Sequence, residues 1–283
     1  MTGSRRAVVV LASGLLFGSC ESGLTEPPDP YPTEFVAVAA GDEHTCATST
    51  GGNTYCWGRA DFSRLGHPGL DERCDDVGCI VPVAMGTSLP FETLSAGESH
   101  NCGLIDGQGY CWGFGRFGQL GDGGEVIEDC FVEPAFPCTH DPAPVSVGLP
   151  LDRITAARMH TCGLTADGRA LCWGWNIAGQ LGRGRKSDEA HFMPREVEGN
   201  LRFRHLDTGY GHTCGVSVDG TAYCWGASAQ GRLGNGDVAE RFVPTAVAGS
   251  RVFRQVAAGS SFSCGIATDG AVYCWGEGLS GRL

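Results

Sequence analysis

The sequence predicts an all-β fold assembled from repeated four-stranded blades, and three observations predict it. One unit, fullest at His160 to Gly174 (HTCGLTADGRALCWG), recurs five times along the chain. Its Cys-Trp-Gly elements begin at Cys56, Cys111, Cys172, Cys224 and Cys274, giving steps of 55, 61, 52 and 50 residues. That period suits a β-propeller blade and is too long for a leucine-rich or ankyrin repeat. Each copy also carries β-branched and aromatic residues on both sides of a Gly-bearing turn, which is the pattern of a β-hairpin.

The hairpins come first. In four copies the two cysteines are 10 residues apart, with the midpoint at Gly51, Asp167, Asp219 or Asp269. A three-residue loop then ends on Gly52, Gly168, Gly220 or Gly270, where a type I turn with a bulge needs positive φ. In the second copy the spacing is 9 and the midpoint lies between Asp106 and Gly107, as a two-residue Asp-Gly hairpin requires. Both loop lengths set the cysteines directly opposite each other, within reach of a disulfide. The expected bonds are Cys46–Cys56, Cys102–Cys111, Cys162–Cys172, Cys214–Cys224 and Cys264–Cys274. Two further close pairs, Cys74–Cys79 and Cys130–Cys138, fall in long inserts between repeats. Of 15 cysteines only Cys20 then lacks a local partner. This parity favours disulfides and an oxidising compartment over buried free thiols.

Around each hairpin the other elements recur in order. An opening strand of small and branched residues precedes it (FVAVAAG from Phe35, FETLSAG from Phe91), and a glycine-framed turn follows (GFGRFGQLGDG, GWNIAGQLGRG). A last strand carries a proline, as in VPVAM from Val81 and VPTAV from Val243. Proline costs a ladder bond, so this strand is expected at the blade's outer edge. The repeats span approximately 35–90, 91–150, 151–201, 202–250 and 251–283, the last stopping inside its turn at Gly281-Arg282-Leu283. Either the sequence is a fragment of a larger ring, the favoured reading, or a strand from elsewhere completes this blade. The first two repeats are lengthened by acidic inserts, each with its own cysteine pair. They are expected to be stapled surface loops, and Asp71, Glu72, Asp75, Asp76, Glu128, Asp129 and Glu133 are the candidate interaction residues.

Residues 1–20 settle the expected compartment. Arg5 and Arg6 precede an apolar run from Ala7 to Phe17, too short to span a bilayer but suited to a signal peptide. Gly18 and Ser19 then precede Cys20, a pattern that resembles a lipoprotein lipobox with Phe17 where leucine is usual. Acylation of Cys20 is the preferred expectation, and cleavage nearby without lipid the alternative. Residues 21–34, with four prolines, read as an extended tether.

Both faces of each hairpin are apolar, as in a blade packed between two neighbours. Trp57, Trp112, Trp173, Trp225 and Trp275 are expected to fill the gaps between blades, with the strand glycines opposite leaving room for the ring.

Several chemistries are argued against. A net charge of −12 is the wrong sign for neutralising phosphates, so nucleic acid is not an expected partner. His44, His100, His160 and His212 precede a cysteine by two, but Phe262 holds that place in the fifth copy, which marks a packing position and not a metal ligand. Cys130, Cys138 and His140 read as part of a stapled loop, and Asp71, Glu72, Asp75 and Asp76 lack the alternation of a calcium loop. There is no haem-attachment motif, phosphate-binding glycine loop or Gly-x-Ser-x-Gly elbow. No cofactor is expected.

With VAAG, HTCGL, DG, YCWG, GQLG and a proline strand in this order, residues 35–283 resemble the regulator of chromosome condensation repeat family. The resemblance implies a seven-bladed propeller, so about two repeats would lie outside this sequence. The family's activities, nucleotide exchange on a small GTPase and β-lactamase inhibition, act on proteins. The expectation is therefore a non-catalytic platform for an unknown protein partner at a bacterial cell envelope, touching membrane only through an N-terminal lipid. An enzyme using the central end of the propeller, or a purely structural surface repeat, is the alternative.

Overall fold

The computed structural model describes residues 34–67, 74, 78–124, 128–129, 137–281 and 283. All of them belong to one compact unit, Pro32–Leu283. Cys20 and the tether up to residue 33 lie outside the described residues, as do Cys130 and the loop residues Asp71, Glu72, Asp75, Asp76 and Glu133.

Five antiparallel sheets follow one another along the chain. The first blade comprises Phe35–Ala40, His44–Ser49, Thr54–Arg59 and Gly78–Ala84. The third comprises Leu151–Ala156, His160–Thr165, Ala170–Asn176 and Ser187–Glu196, and the fourth Phe203–Thr208, His212–Ser217, Ala222–Gly226 and Arg241–Ala246. In the fifth, Phe253–Ala258, Phe262–Ala267 and Val272–Gly276 form a three-stranded sheet. The second blade has five strands: Thr93–Ala96, His100–Ile105, Gln108–Phe114, Pro137–Pro144 and, outside the last, the two-residue strand Glu128–Asp129. Glu128 and Asp129, expected in a surface loop, instead extend the sheet by pairing with Cys138 and Pro137.

The turns behave as their residues require. Gly168 has φ +83° and closes a three-residue loop in which Thr165 N donates to Arg169 O. Asp106 and Gly107 both take positive φ, 49° and 78°, in the two-residue turn joining Ile105 to Gln108. All five cysteine pairs are consequently directly opposed, from Cys46 against Cys56 to Cys264 against Cys274.

The proline strand forms an edge in the first, third and fourth blades, but its proline is tolerated for a second reason as well. Between the partners of the second cysteine and of the following CWG glycine, the outer strand carries two extra residues. Cys172 pairs with Arg195 and Gly174 with His191, so Pro194 lies in a bulge. Pro82, Pro142 and Pro244 occupy the same place. A bulge leaves its residues out of the ladder, and the missing N–H therefore costs nothing there.

Packing is between blades as much as within them. Trp173 of the third blade is fully buried with Cys102, Cys111, Leu120 and Val145 of the second. Trp112 and Trp225 are likewise fully buried, whereas Trp57 and Trp275, in the first and last blades, are half-buried. Burying such a ring removes roughly 150–250 Å² from water, an upper bound of about 4–6 kcal/mol each. Contrary to the expectation, space for the ring does not come from the strand glycines opposite it. A Cβ on Gly163 would meet Leu151 at 2.9 Å, and on Gly103 would meet Phe91 at 2.5 Å, so those glycines admit a residue of their own blade. The indoles lie instead against Gly66, Gly121, Gly182 and Gly234 in the preceding blade's turn. There a Cβ would come within 2.5 Å of Trp173 and 2.7 Å of Trp275.

Candidate functional site

The four histidines that open hairpins lie at the seams between blades. His100 Nε2 is 2.8 Å from Thr161 Oγ1 of the next blade, and that hydroxyl donates to Gln119 O at 2.8 Å. A hydroxyl has one proton, so Thr161 must accept from His100, which fixes the proton on Nε2. The same Gln119 carbonyl also accepts Trp173 Nε1–H at 3.0 Å. The next two seams repeat the arrangement, His160 with Thr213 and Gln180 O, then His212 with Ser263 and Arg232 O. In the first, His44 Nε2 donates to Asn101 Oδ1 at 2.7 Å and Asn101 Nδ2 to Arg64 O.

Burial holds these imidazoles neutral. Desolvation, reinforced by a neighbouring histidine or arginine, pushes His100, His160 and His212 down to about 3, and His44 is lowered for the same first reason. Each Nδ1 is shielded and makes no hydrogen bond. With Nε2 given to the next blade, these side chains clamp the blades together. Among the described residues no cluster of metal-ligating side chains occurs.

A second candidate is the axial end. The turns after the opening strands converge there, where Asp42 N donates to Gly97 O, Glu98 N to Ala157 O and Tyr210 N to Gly259 O, all at 3.3 Å. Glycine is needed for this approach, since a Cβ on Gly97 would stand 2.0 Å from Ala157 O. The turns surround a cavity of about 280 Å³ whose charged and aromatic lining is Asp42, Glu98, Arg158 and Tyr210. Arg158 Nε donates to Glu98 Oε2 at 2.6 Å while its guanidinium stacks 4.1 Å from the Tyr210 ring centre. Glu98, Arg158 and Tyr210 thus hold one another at one side of this cavity.

The third candidate was the pair of inserts. Cys74 and Cys79 are bonded in the first, with Cys79 buried in the outer strand of the blade. The Cys130–Cys138 pairing falls on residue 130, outside the described residues. The described disulfides are Cys46–Cys56, Cys74–Cys79, Cys102–Cys111, Cys162–Cys172, Cys214–Cys224 and Cys264–Cys274. Sequence reasoning missed Thr161, Gln119 and their equivalents, and also the Arg158–Tyr210 stack. The polar residue directly before the first cysteine of each later hairpin, Asn101, Thr161, Thr213 and Ser263, was the available signal for the seam.

A ring-wise succession of disulfide-stapled blades, each clamped to the next through His, Thr and Trp, defines a β-propeller. Residues 106–164, 167–216 and 219–266 match the regulator of chromosome condensation (RCC1) repeat, and 35–63, 203–232 and 253–282 match a second form of it. The chain belongs to the RCC1 repeat family. Over 211 residues it is 31% identical to the ultraviolet-B receptor UVR8 of Arabidopsis thaliana, covering 73% of this chain and 44% of that one. It is 29% identical over 206 residues to the human E3 ubiquitin-protein ligase HERC2, covering 72% of this chain and 4% of the ligase. The chain thus spans less than half of these curated relatives. Among solved structures, human WBSCR16 superposes with a TM-score of 0.73 at 22% identity, over 86% of this chain and 62% of that one. Prp20p of Saccharomyces cerevisiae gives 0.70 at 22%, over 84% and 57%.

Proposed function

We propose that this chain is a non-catalytic protein-binding platform outside the cytoplasm, held at the cell envelope by a lipid on Cys20. The observation that carries the reading is the seam: the imidazoles and indoles that would make the obvious chemistry are spent on locking blades together. What remains for function is a rigid frame presenting its axial rim and its inserts. Relatives support binding as the general role, since Prp20p is described by its binding to Gsp1p and histones and yeast RCC1 is seen bound to Kap60. The paired cysteines fit an oxidising compartment, and among the described residues no helix is long and apolar enough to cross a membrane.

Affinity capture from the parent cell's envelope tests the platform. The full chain is compared with a variant in which residues 68–77 and 125–136 become short Gly-Ser linkers, with Cys79→Ser and Cys138→Ser to avoid orphan thiols. A partner lost with the loops supports them as the contact surface, and one lost only in Arg158→Ala moves the contact to the axial rim. No partner dependent on either surface sinks the reading. Separately, Cys20→Ala should release the chain from the membrane fraction.

A further inference from the structure

The outer side of the third blade holds a cavity of about 510 Å³ whose lining includes Asn176, Arg183, Arg185, His191 and Arg195. That volume is within the range of small-molecule sites. In a chain of net charge −12, three guanidinium groups converge here. None of the three makes an ion pair. Two carboxylates also line the cavity. Glu196 is engaged by Arg202 at 3.2 Å, which leaves Glu198 as the one unpaired negative group against three positive ones.

Of the three arginines, Arg183 is fixed in place by the strands beneath it. Arg183 Nη2 donates to Cys172 O at 2.6 Å and to Met193 O at 3.2 Å, which pins its guanidinium across two strands. Its Nε is shielded and makes no hydrogen bond, and the same is true of His191 Nε2. A shielded donor without an acceptor costs free energy, so Arg183 Nε–H marks a place in this polar cavity that an acceptor would satisfy. Burial, with Arg195 next, lowers Arg183 to about 10. His191 is lowered by burial and by Arg183, opposed by Glu189. Like charges held together in this way are relieved by an anion. The guanidinium fork, with planar paired donors, matches carboxylate and phosphate oxygens alike.

We infer that this cavity is a binding site for a small oxyanionic ligand, a phosphomonoester or a dicarboxylate, with the guanidinium groups of Arg185, Arg195 and Arg183 as its donors. The site is independent of the protein-binding reading.

Calorimetric titration of the exported chain with inorganic phosphate, and separately with succinate, tests it in low-chloride buffer. Saturable binding is expected, weakened about tenfold or more by Arg185→Ala and by Arg195→Ala. Both residues are exposed and make no hydrogen bonds through their side chains, so the variants should fold. Arg169→Ala, on a hairpin turn far along the blade, should leave affinity unchanged. Binding of phosphate alone assigns the phosphoryl class, of succinate alone the carboxylate class, and of both a general oxyanion site. Absence of saturable binding to either probe at millimolar concentration, or equal affinity in all three variants, overturns the inference.

Discussion

Thr161 stands between His100 of the preceding blade, 2.8 Å away, and the Gln119 carbonyl of that same blade, also 2.8 Å away. One hydroxyl thus ties its own blade to two elements of its neighbour, and Trp173 from the same hairpin reaches the same carbonyl. Removing that hydroxyl without changing shape should be costly. Thr161→Val leaves the shielded His100 Nε2–H without an acceptor, and a loss of about 1–3 kcal/mol is expected in denaturant unfolding. Thr161→Ser, which keeps the hydroxyl as Ser263 does, should recover most of it.

Acid should unfold this protein through its seams. An ordinary imidazole titrates near 6.5, whereas His100, His160 and His212 are pushed to about 3. Between those values the unfolded chain binds protons that the folded one cannot. The contribution of the neutral histidines is therefore complete above pH 6.5 and is lost as pH falls towards 3, by about 1.4 kcal/mol per unit for each histidine. His212→Phe copies Phe262, whose ring lies against Gly259 as the imidazole of His212 lies against Gly209. It should flatten the dependence of unfolding free energy on pH by one proton, and an unchanged slope would show that the imidazole does not carry the effect.

Two glycines of similar backbone conformation separate strain from collision. Gly121 has φ +71° with Trp173 Nε1 2.5 Å from a would-be Cβ, while Gly148 has φ +66° with nothing within 4 Å. Gly148→Ala should cost about 1 kcal/mol from the left-handed backbone alone. Gly121→Ala should cost at least about 2 kcal/mol more, because the indole must be displaced from the seam. Thermal unfolding of the pair measures the difference.

The disulfides close short loops inside buried hairpins. Cys162 and Cys172 are fully buried and 10 residues apart. On the chain-entropy account, replacing both with alanine should cost about 2–3 kcal/mol. The six described bonds use twelve of the 15 cysteines and Cys138 is also disulfide-bonded, so thiol titration of the oxidised protein in denaturant without reductant should find no more than one reactive group.

Local geometry was legible in the chain because it depends on neighbours in sequence. Turn length alone sets Cys162 against Cys172, and the Asp-Gly at 106–107 shortens one hairpin without shifting the register. The seams were not legible, since His100 and Thr161 lie 61 residues apart and either would satisfy a packing pattern. The strand glycines were assigned to the wrong ring for a related reason. Gly163 faces Leu151 of its own blade, and only the stagger between blades reveals that Gly121 is the one against Trp173. The cluster of Arg183, Arg185 and Arg195 was equally hidden, because two of its members leave the turn and the third returns on the bulged outer strand.

That bulged outer strand has a further consequence. An open sheet margin offers a row of free amides to any passing strand, which is how soluble β-proteins polymerise. In the first, third and fourth blades the margin is broken at Pro82, Pro194 and Pro244, where the chain kinks and no donor remains. Each such break denies a neighbouring strand a continuous ladder, and substituting these imino acids with valine would invite fibrils before it altered the fold.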